Sequence, residues 1–401
     1  MDIHNYDRMC EQTRQSIQEA NISTENKAII LNFADDLALD NISKPRIVRY
    51  LVTLKQLARE ISNLDKATKE DVKRVISKIQ QNSKYSPHTK HTYKILIRRF
   101  FKWLRKTEDY PEEVKWIKSN VTRSQMKLPC EGDLLNEQDV QKLLLAANHP
   151  RDKAFIATLW ESGARVGEIG NLQIKNVSYD KYGVVITVQG KTGSRKIRLI
   201  SSTSYLSTWM NNHPFKDSPE SPLWINVGTT NHKKVMHYRN MRNIVIKIAE
   251  AARINKRCNP HSFRHARATY MANHLTEFQM NQYFGWIQGS DMPSTYVHMS
   301  GKEVDNAILQ MNGIETGIKK EESKLQPKIC TRCDTINSAD SKHCNKCGGI
   351  LDIKTLLEIE EKEKAQLKDR EQIDQIMGLI MGDKEIQVKL LEKLKNLNFS
   401  L

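Results

Sequence analysis

The stretch His261-Ser-Phe-Arg264-His265-Ala-Arg267-Ala-Thr269 sets phosphate-seeking side chains one helical turn apart. On a helix, His261 and Arg264 stand at i and i+3, so both heads can reach one phosphate from the same side. Upstream, Glu161-Ser-Gly-Ala-Arg165-Val-Gly-Glu168 offers a second arginine, and Tyr296 follows in Ser294-Thr-Tyr-Val-His-Met-Ser300. A guanidinium presents a rigid donor fork that matches phosphate oxygens, and two forks can hold a phosphodiester while charge builds in a pentavalent transition state. Tyrosine supplies a nucleophile. Its phenol has a reference pKa of about 10, so attack calls for cations or a base that favour phenolate. Two arginines and a histidine meet that need, and the chemistry they suggest is phosphoryl transfer with no metal required.

None of these pieces is specific alone. A lone Gly-x-Arg-x-x-Glu reads as a helix start, a lone His-x-x-Arg as a surface pair, and Tyr296 or Trp286 as packing aromatics. Lys191 sits in Gly-Lys-Thr-Gly-Ser-Arg-Lys, between the β-branched run 184–188 and the run 195–200. That pattern predicts a hairpin with a five-residue, glycine-containing turn, in which a lysine is ordinarily solvated. The joint occurrence of the pieces, in order, carries the reading.

The elements that must position them read as mostly helical. Ser43-Lys-Pro45 opens one helix, with Ile47, Leu51, Leu54 and Ala58 at helical spacing and Arg46, Arg49, Lys55 and Arg59 elsewhere on its surface. Thr68 with Asp71 predicts a capping box for the next. A third runs from Ser86-Pro87 to about Lys106, combining Ile95, Phe100 and Leu104 with Lys90, Lys94, Arg98, Arg99, Lys102 and Arg105. Such a basic face is ordinarily just solvated, and it can also lie along DNA phosphates. A polar connector with Pro111 and Pro129 follows, and Asn136 with Asp139 marks a new helix start. Beyond the hairpin another helix is expected near 238–254, with few other strands.

The chain has 401 residues, room for two or three domains. Basic and acidic side chains number 24 and 16 over residues 1–125, 23 and 16 over 126–315, and 16 and 15 over 316–401. The net charges of +8, +7 and +1 imply a polyanionic partner for the first 315 residues and another task for the tail. No apolar run approaches 18 residues and no export signal opens the chain, so no membrane partner and an intracellular, cytoplasmic location are expected.

In that tail, Cys330-Thr-Arg-Cys333 and Cys344-Asn-Lys-Cys347-Gly-Gly form paired knuckles of the kind four thiolates around a tetrahedral structural zinc require. Two disulfides or a rubredoxin-type iron centre are the alternatives, the former disfavoured inside a cell. Cys10, Cys130 and Cys258 lack ligand spacing. Past the ribbon, Leu356, Ile359, Leu367, Ile373, Ile376, Met377 and Ile380 recur at roughly helical intervals, as does a second segment from Ile386 to Leu397. Amphipathic helices of this kind bury a face against a partner, unless the tail is a charged, partly disordered one.

Taken together, the boxes resemble the tyrosine recombinases, also called the phage integrase family, over roughly residues 15–312. The resemblance implies an active site of Arg165, Lys191, His261, Arg264 and Tyr296, with Glu168 bracing the first box and His265 in support. The third box usually reads Leu-Gly-His. Here it is Phe284-Gly-Trp286, and an indole N–H can donate to a phosphate but cannot shuttle a proton. A second departure is the ten-residue separation of Trp286 from Tyr296, one more than the family spacing. By the same resemblance Tyr296 forms a 3′-phosphotyrosyl bond, His261 handles its proton, and Lys191 protonates the leaving 5′-oxygen, with no cofactor in catalysis. The implied partners are double-stranded DNA, associated with the nucleoid, and further copies of the chain, as a tetramer on two DNA sites. The segment 306–314 would pack on a neighbour. The ribbon layout is similar to archaeal members.

The expected fold is mainly α with a small antiparallel β-sheet (α+β). The expected domains are a helical core-binding clamp (1–110), a linker (111–133), the catalytic domain (134–315), a linker (316–329), a zinc ribbon (330–350) and an amphipathic helical tail (351–401). In the clamp, Arg46, Arg49, Lys90, Lys94, Arg98, Arg99 and Lys102 are the expected DNA contacts. A catalytically silent DNA-binding regulator and a type IB topoisomerase-like enzyme are the rival readings.

Overall fold

A computed structural model describes residues 2–120, 131–229, 231–300, 308–309, 311–313, 325–382, 388–389 and 392. The first helices are α1 (Tyr6–Gln18), α2 (Thr24–Leu39), α3 (Lys44–Glu60), α4 (Lys69–Gln81), α5 (Pro87–Leu104) and the short α6 (Glu112–Lys115). Pro45 and Pro87 lie in the first turns of α3 and α5, where a missing N–H leaves no bond unmade. The Thr68–Asp71 capping box forms at the head of α4. α3 buries Ile47, Leu51, Leu54 and Ala58 as expected, against Phe33, Phe100 and Phe101. α5 is rotated from its expected stripe: Leu96, Ile97, Phe100 and Phe101 are buried while Ile95 is 36% exposed. The cause is the aromatic cluster, in which Phe33 meets Tyr50 and Phe100 edge to face and so dictates which side of α5 turns inward.

The second body comprises α7 (Glu137–Ala146), α8 (Pro150–Ser162), α9 (Val166–Gly170), β1 (Val177–Asp180), β2 (Gly183–Gly190), β3 (Gly193–Leu199), α10 (Thr203–Asn211), α11 (Tyr238–Ala251), α12 (Pro260–Ala272), α13 (Glu277–Phe284) and α14 (Met292–Ser300). α7 starts on the capping box of Asn136 and Asp139. α8 is the central helix, with Phe155, Ile156 and Leu159 wholly enclosed. The sheet is antiparallel in the order β1-β2-β3. β1 escapes sequence reading because Val-Ser-Tyr-Asp is only four residues long and none of them is buried. The hairpin also departs from expectation: pairing continues to Gly190↔Gly193, so the turn is the two residues Lys191 and Thr192 rather than five. Gly193 makes this possible by taking φ 103°, a region costly for other residues.

Residues outside 134–315 complete this core. Ile3 is buried in it, its carbonyl accepts from Tyr238 N at 3.0 Å, and His4 packs its ring on Tyr6 and Tyr238. Leu325 is buried there too, beside Val140, Leu144 and Trp160. The cysteine ribbon starts two residues before 330, with β4 (Lys328–Ile329) antiparallel to β5 (Ile336–Asn337). It meets α10 through the Tyr205 hydroxyl, which donates to Asp340 Oδ1 at 2.6 Å. α15 (Ile353–Gly382) follows, and its Leu356, Leu367, Ile373, Ile376 and Met377 side chains are exposed. Residues 121–130, which include Cys130, the Ile359 and Ile380 side chains, residues 306, 307, 310 and 314 of the segment 306–314, and most of 386–397 lie outside the described residues. No helix among the described residues is long and apolar enough to cross a membrane.

Candidate active site

α8 stops because Gly163 takes a left-handed φ of 54°, and a Cβ there would come within 2.8 Å of the Phe284 ring. The turn aims two groups at one place. The Gly163 carbonyl accepts from Arg264 Nη1 at 3.0 Å, and Arg165 caps α9 two residues on. Arg264 also donates from Nη2 to Phe284 O at 2.9 Å, and its side chain is buried. Two backbone carbonyls thus fix the fork, leaving three of about five N–H donors for a ligand. Burial, helped by the charge of Arg165, brings the Arg264 guanidinium down to about 10, so it remains a cation at neutral pH.

Arg165 is partly open to solvent and leans on Glu168. Glu168 Oε2 accepts from Arg165 N at 2.9 Å and Oε1 from Arg165 Nη1 at 3.2 Å. Burial would raise this carboxyl, but Arg195 and Arg165 more than offset it and hold it below the usual carboxylate range.

α12 begins at Pro260, with the Asn259 side chain accepting from His261 N and Ser262 N at 2.9 and 3.0 Å. Its next turn carries His265, whose Nδ1 is 2.9 Å from the Tyr296 hydroxyl. The expectation that His261 handles the nucleophile's proton meets a different geometry: the hydroxyl touches His265, and the His261 and His265 rings lie 4.4 Å apart. α14 crosses α12 at that level, which selects the later histidine. Burial, then His261 and Arg264, lower His265 to about 4, while burial and Arg264 lower His261 as well.

Tyr296 is itself buried, its ring parallel to Trp286 within 6° at 5.5 Å. Trp286 in turn stacks on Phe284 at 4.8 Å, and the Arg264 guanidinium sits 5.3 Å from the Trp286 ring. The expected cation effect on the phenol is outweighed: burial raises the Tyr296 hydroxyl above its ordinary value, and Arg264 only moderates the rise.

Arg165, Glu168, His261, Arg264, His265, Trp286 and Tyr296 therefore converge. Lys191 stands apart on the exposed hairpin tip, tied in by Thr192, whose hydroxyl donates to Gly285 O at 3.4 Å. The α5 cations are partly engaged within the chain. Arg98 donates to Ser119 Oγ at 3.1 Å and lies over the Tyr110 ring, Lys94 reaches Lys118 O at 3.2 Å, and Lys90 reaches Gln80 O at 2.6 Å. Arg99 approaches Asp40 at 3.7 Å, and Lys102 lies 5.9 Å from the Tyr110 ring. Arg46 and Arg49 are exposed on α3.

Arg195 was not singled out from the sequence, yet it donates to both Glu168 oxygens at 2.9 and 2.7 Å. Alternation in β3 places it on the inward face with Ile197 and Leu199, and an inward charge in a strand is the signal that could have found it.

In the ribbon, the sulfurs of Cys330, Cys333, Cys344 and Cys347 lie within 4.8 Å of one another. Cys330–Cys347 and Cys333–Cys344 are 3.5 and 3.6 Å apart, too long for a disulfide and near the roughly 3.8 Å edge of a tetrahedral zinc–thiolate site. Lys346 N and the Asn337 amide donate to Cys344 Sγ at 3.5 and 3.6 Å, the outer-shell bonds that stabilise a thiolate ligand. Four cysteines are thus arranged to hold a metal, and the donor set fits zinc.

A profile of the phage integrase family matches residues 133–303. The chain is 25% identical over 298 residues to the tyrosine recombinase XerA of Pyrococcus horikoshii, covering 73% of this chain and 96% of that one. It is 27% identical over 290 residues to a tyrosine recombinase of Pseudothermotoga lettingae, covering 70% and 96%. Its fold is similar to that of the XerH site-specific recombinase in a post-cleavage complex with a palindromic difH substrate. There the TM-score is 0.54 at 17% identity, over 76% of this chain and 95% of that one. With the two arginines, the histidines and the buried tyrosine gathered at one place, residues 133–303 match the phage integrase family, and the chain is similar over most of its length to tyrosine recombinase enzymes.

Proposed function

We propose that the protein is a site-specific DNA recombinase in which Tyr296 attacks a phosphodiester held by Arg165 and Arg264. The P–O bond to the 5′-oxygen breaks as the 3′-phosphotyrosyl bond forms. The freed 5′-hydroxyl of a partner strand later reverses the step, so the bond energy is retained. The observation that carries this reading is the Tyr296 hydroxyl on His265, on the helix that presents Arg264 at the adjacent position. That contact supports His265 as first acceptor of the phenolic proton, with His261 on the phosphate side. Lys191, on a hairpin that reaches Gly285 beside the site, protonates the leaving oxygen. Trp286 supplies a flat wall for the nucleophile.

Residues 1–110 act as the DNA clamp, with Arg46 and Arg49 free for phosphates and the α5 cations, Lys90, Lys94, Arg98, Arg99 and Lys102, exchanging internal partners for them. The chain works on double-stranded DNA in the cytoplasm, at the nucleoid, as a tetramer on two sites. The exposed apolar side chains of α15 support association between copies. Cys330, Cys333, Cys344 and Cys347 hold a structural zinc that takes no part in the chemistry.

On a nicked suicide site, unaltered protein should trap DNA as an adduct that survives denaturant, and Tyr296→Phe should trap none. Adduct from Tyr296→Phe would remove Tyr296 as nucleophile. One observation favours a second reading, a DNA-binding regulator without strand cleavage: the Tyr296 side chain is buried. DNA binding with no adduct from the unaltered chain would select it. Relaxation of single plasmids without exchange between two sites would select a topoisomerase-like activity.

A further inference from the structure

Arg195 follows Lys191 by four residues on the same hairpin, and the structure spends an unusual amount of room on it. Its Nε donates to Tyr283 O at 2.9 Å, while Nη1 and Nη2 grip the Glu168 carboxylate at 2.9 and 2.7 Å. That is a bidentate, partly buried pair, the geometry in which arginine differs most from lysine. Two glycines make the slot. A Cβ on Gly190 would lie 2.5 Å from Glu168 Oε1 and 3.2 Å from Arg195 Nη1, and one on Gly285 would lie 2.7 Å from Arg195 Nη1. Neither position can carry a side chain without displacing the guanidinium or its carboxylate.

The register shows what the pair controls. Arg195 is opposite Val188, and only Gln189↔Ser194 and Gly190↔Gly193 separate it from the Lys191–Thr192 turn. A short two-stranded tip has little stability of its own, so its direction is set by where it is fastened: at the turn by one long Thr192 hydroxyl bond of 3.4 Å to Gly285 O, and most firmly by the shorter, charged Arg195 fork. That fastening runs through Glu168, which also holds Arg165. Resting on the mechanism proposed above, we infer that Arg195 is a positioning residue for the general acid. Its pairing with Glu168 keeps the Lys191 hairpin in register with the Arg165 phosphate grip, so protonation of the leaving 5′-oxygen depends on it.

The rival role is purely structural: Arg195 would hold Glu168 for the sake of Arg165 or of the fold. Replacing the bridging 5′-oxygen with sulfur separates the two, because a thiolate is far less basic than an alkoxide and leaves without a proton. On ordinary DNA, Arg195→Ala in the full chain should slow adduct formation by about 10²-fold, the lower range for loss of a general acid. On the 5′-thio substrate it should approach the unaltered rate, as Lys191→Ala should. Arg165→Ala should stay slow on both. Arg195→Lys, which keeps the charge and loses the fork, should show the same pattern with a smaller defect, and it serves if the alanine variant does not fold. Equal defects of both Arg195 variants on the two substrates, with Lys191→Ala rescued, overturn the inference alone. Failure of sulfur to rescue Lys191→Ala overturns the acid role of Lys191 and this inference with it.

Discussion

Around α8 the second body encloses whole side chains, among them Phe155, Ile156, Leu159, Trp209 and Trp224. Residues 325–352 bury little beyond Leu325, Cys330, Cys344, Asn337 and Ser338, and Leu325 belongs to the core around α8 rather than to the ribbon. One region is ordered by removing apolar surface from water, the other by bringing four sulfurs to one point. A module this small cannot bury enough to offset its own chain entropy, so a metal held by the four sulfurs would have to supply its folding energy. The difference teaches that the two parts should fail independently, although they touch through Tyr205 and Asp340.

The largest expected effect tests the ribbon. Purified protein should carry one zinc per chain by elemental analysis, and chelation should strip amide-exchange protection from residues 328–350, since structural zinc is worth about 10–16 kcal/mol in small modules. Protection around Trp224 should persist. Amides in the ribbon that stay protected after the metal is gone would mean that packing holds it, and the contrast would collapse.

Next comes the core. Trp224 is fully enclosed and its Nε1 donates to Ile169 O at 2.8 Å, so Trp224→Ala should lower stability in urea by about 3–5 kcal/mol and leave zinc content unchanged. Loss of zinc along with stability would join the two regions into one cooperative unit. Ile3→Ala should cost less, near 2 kcal/mol, because the side chain plugs the edge of the same core beside Gly170 and Met241. An unchanged urea midpoint would show that the first residues do not tie the helical bundle to the core around α8.

The smallest effect lies at the seam. Tyr205→Phe removes one hydrogen bond to Asp340, worth about 1 kcal/mol, and should speed exchange in the ribbon near Ser338–Ser341 without moving the urea midpoint. Faster exchange throughout the helical bundle would place the ribbon's influence elsewhere.

Much of this molecule is legible in its sequence. The capping boxes at Thr68 and Asn136, the order of the Arg165, His261–Arg264 and Tyr296 boxes, and the paired cysteines depend on residues a few positions apart, and short-range geometry follows from the chain itself. What stayed hidden depends on packing angles. α12 offers two histidines one turn apart, and the choice of His265 for the Tyr296 hydroxyl, across 31 residues, is made where α14 lands. That landing is governed by the stack of Phe284, Trp286 and Tyr296, which also buries the phenol and reverses the expected sign of its shift. Strand alternation marks Arg195 as inward, but only the folded sheet supplies Glu168 as its partner, 27 residues back. A residue's chemistry is set by its covalent structure. Its partner, its solvent and therefore its pKa belong to the surfaces that tertiary packing brings against it.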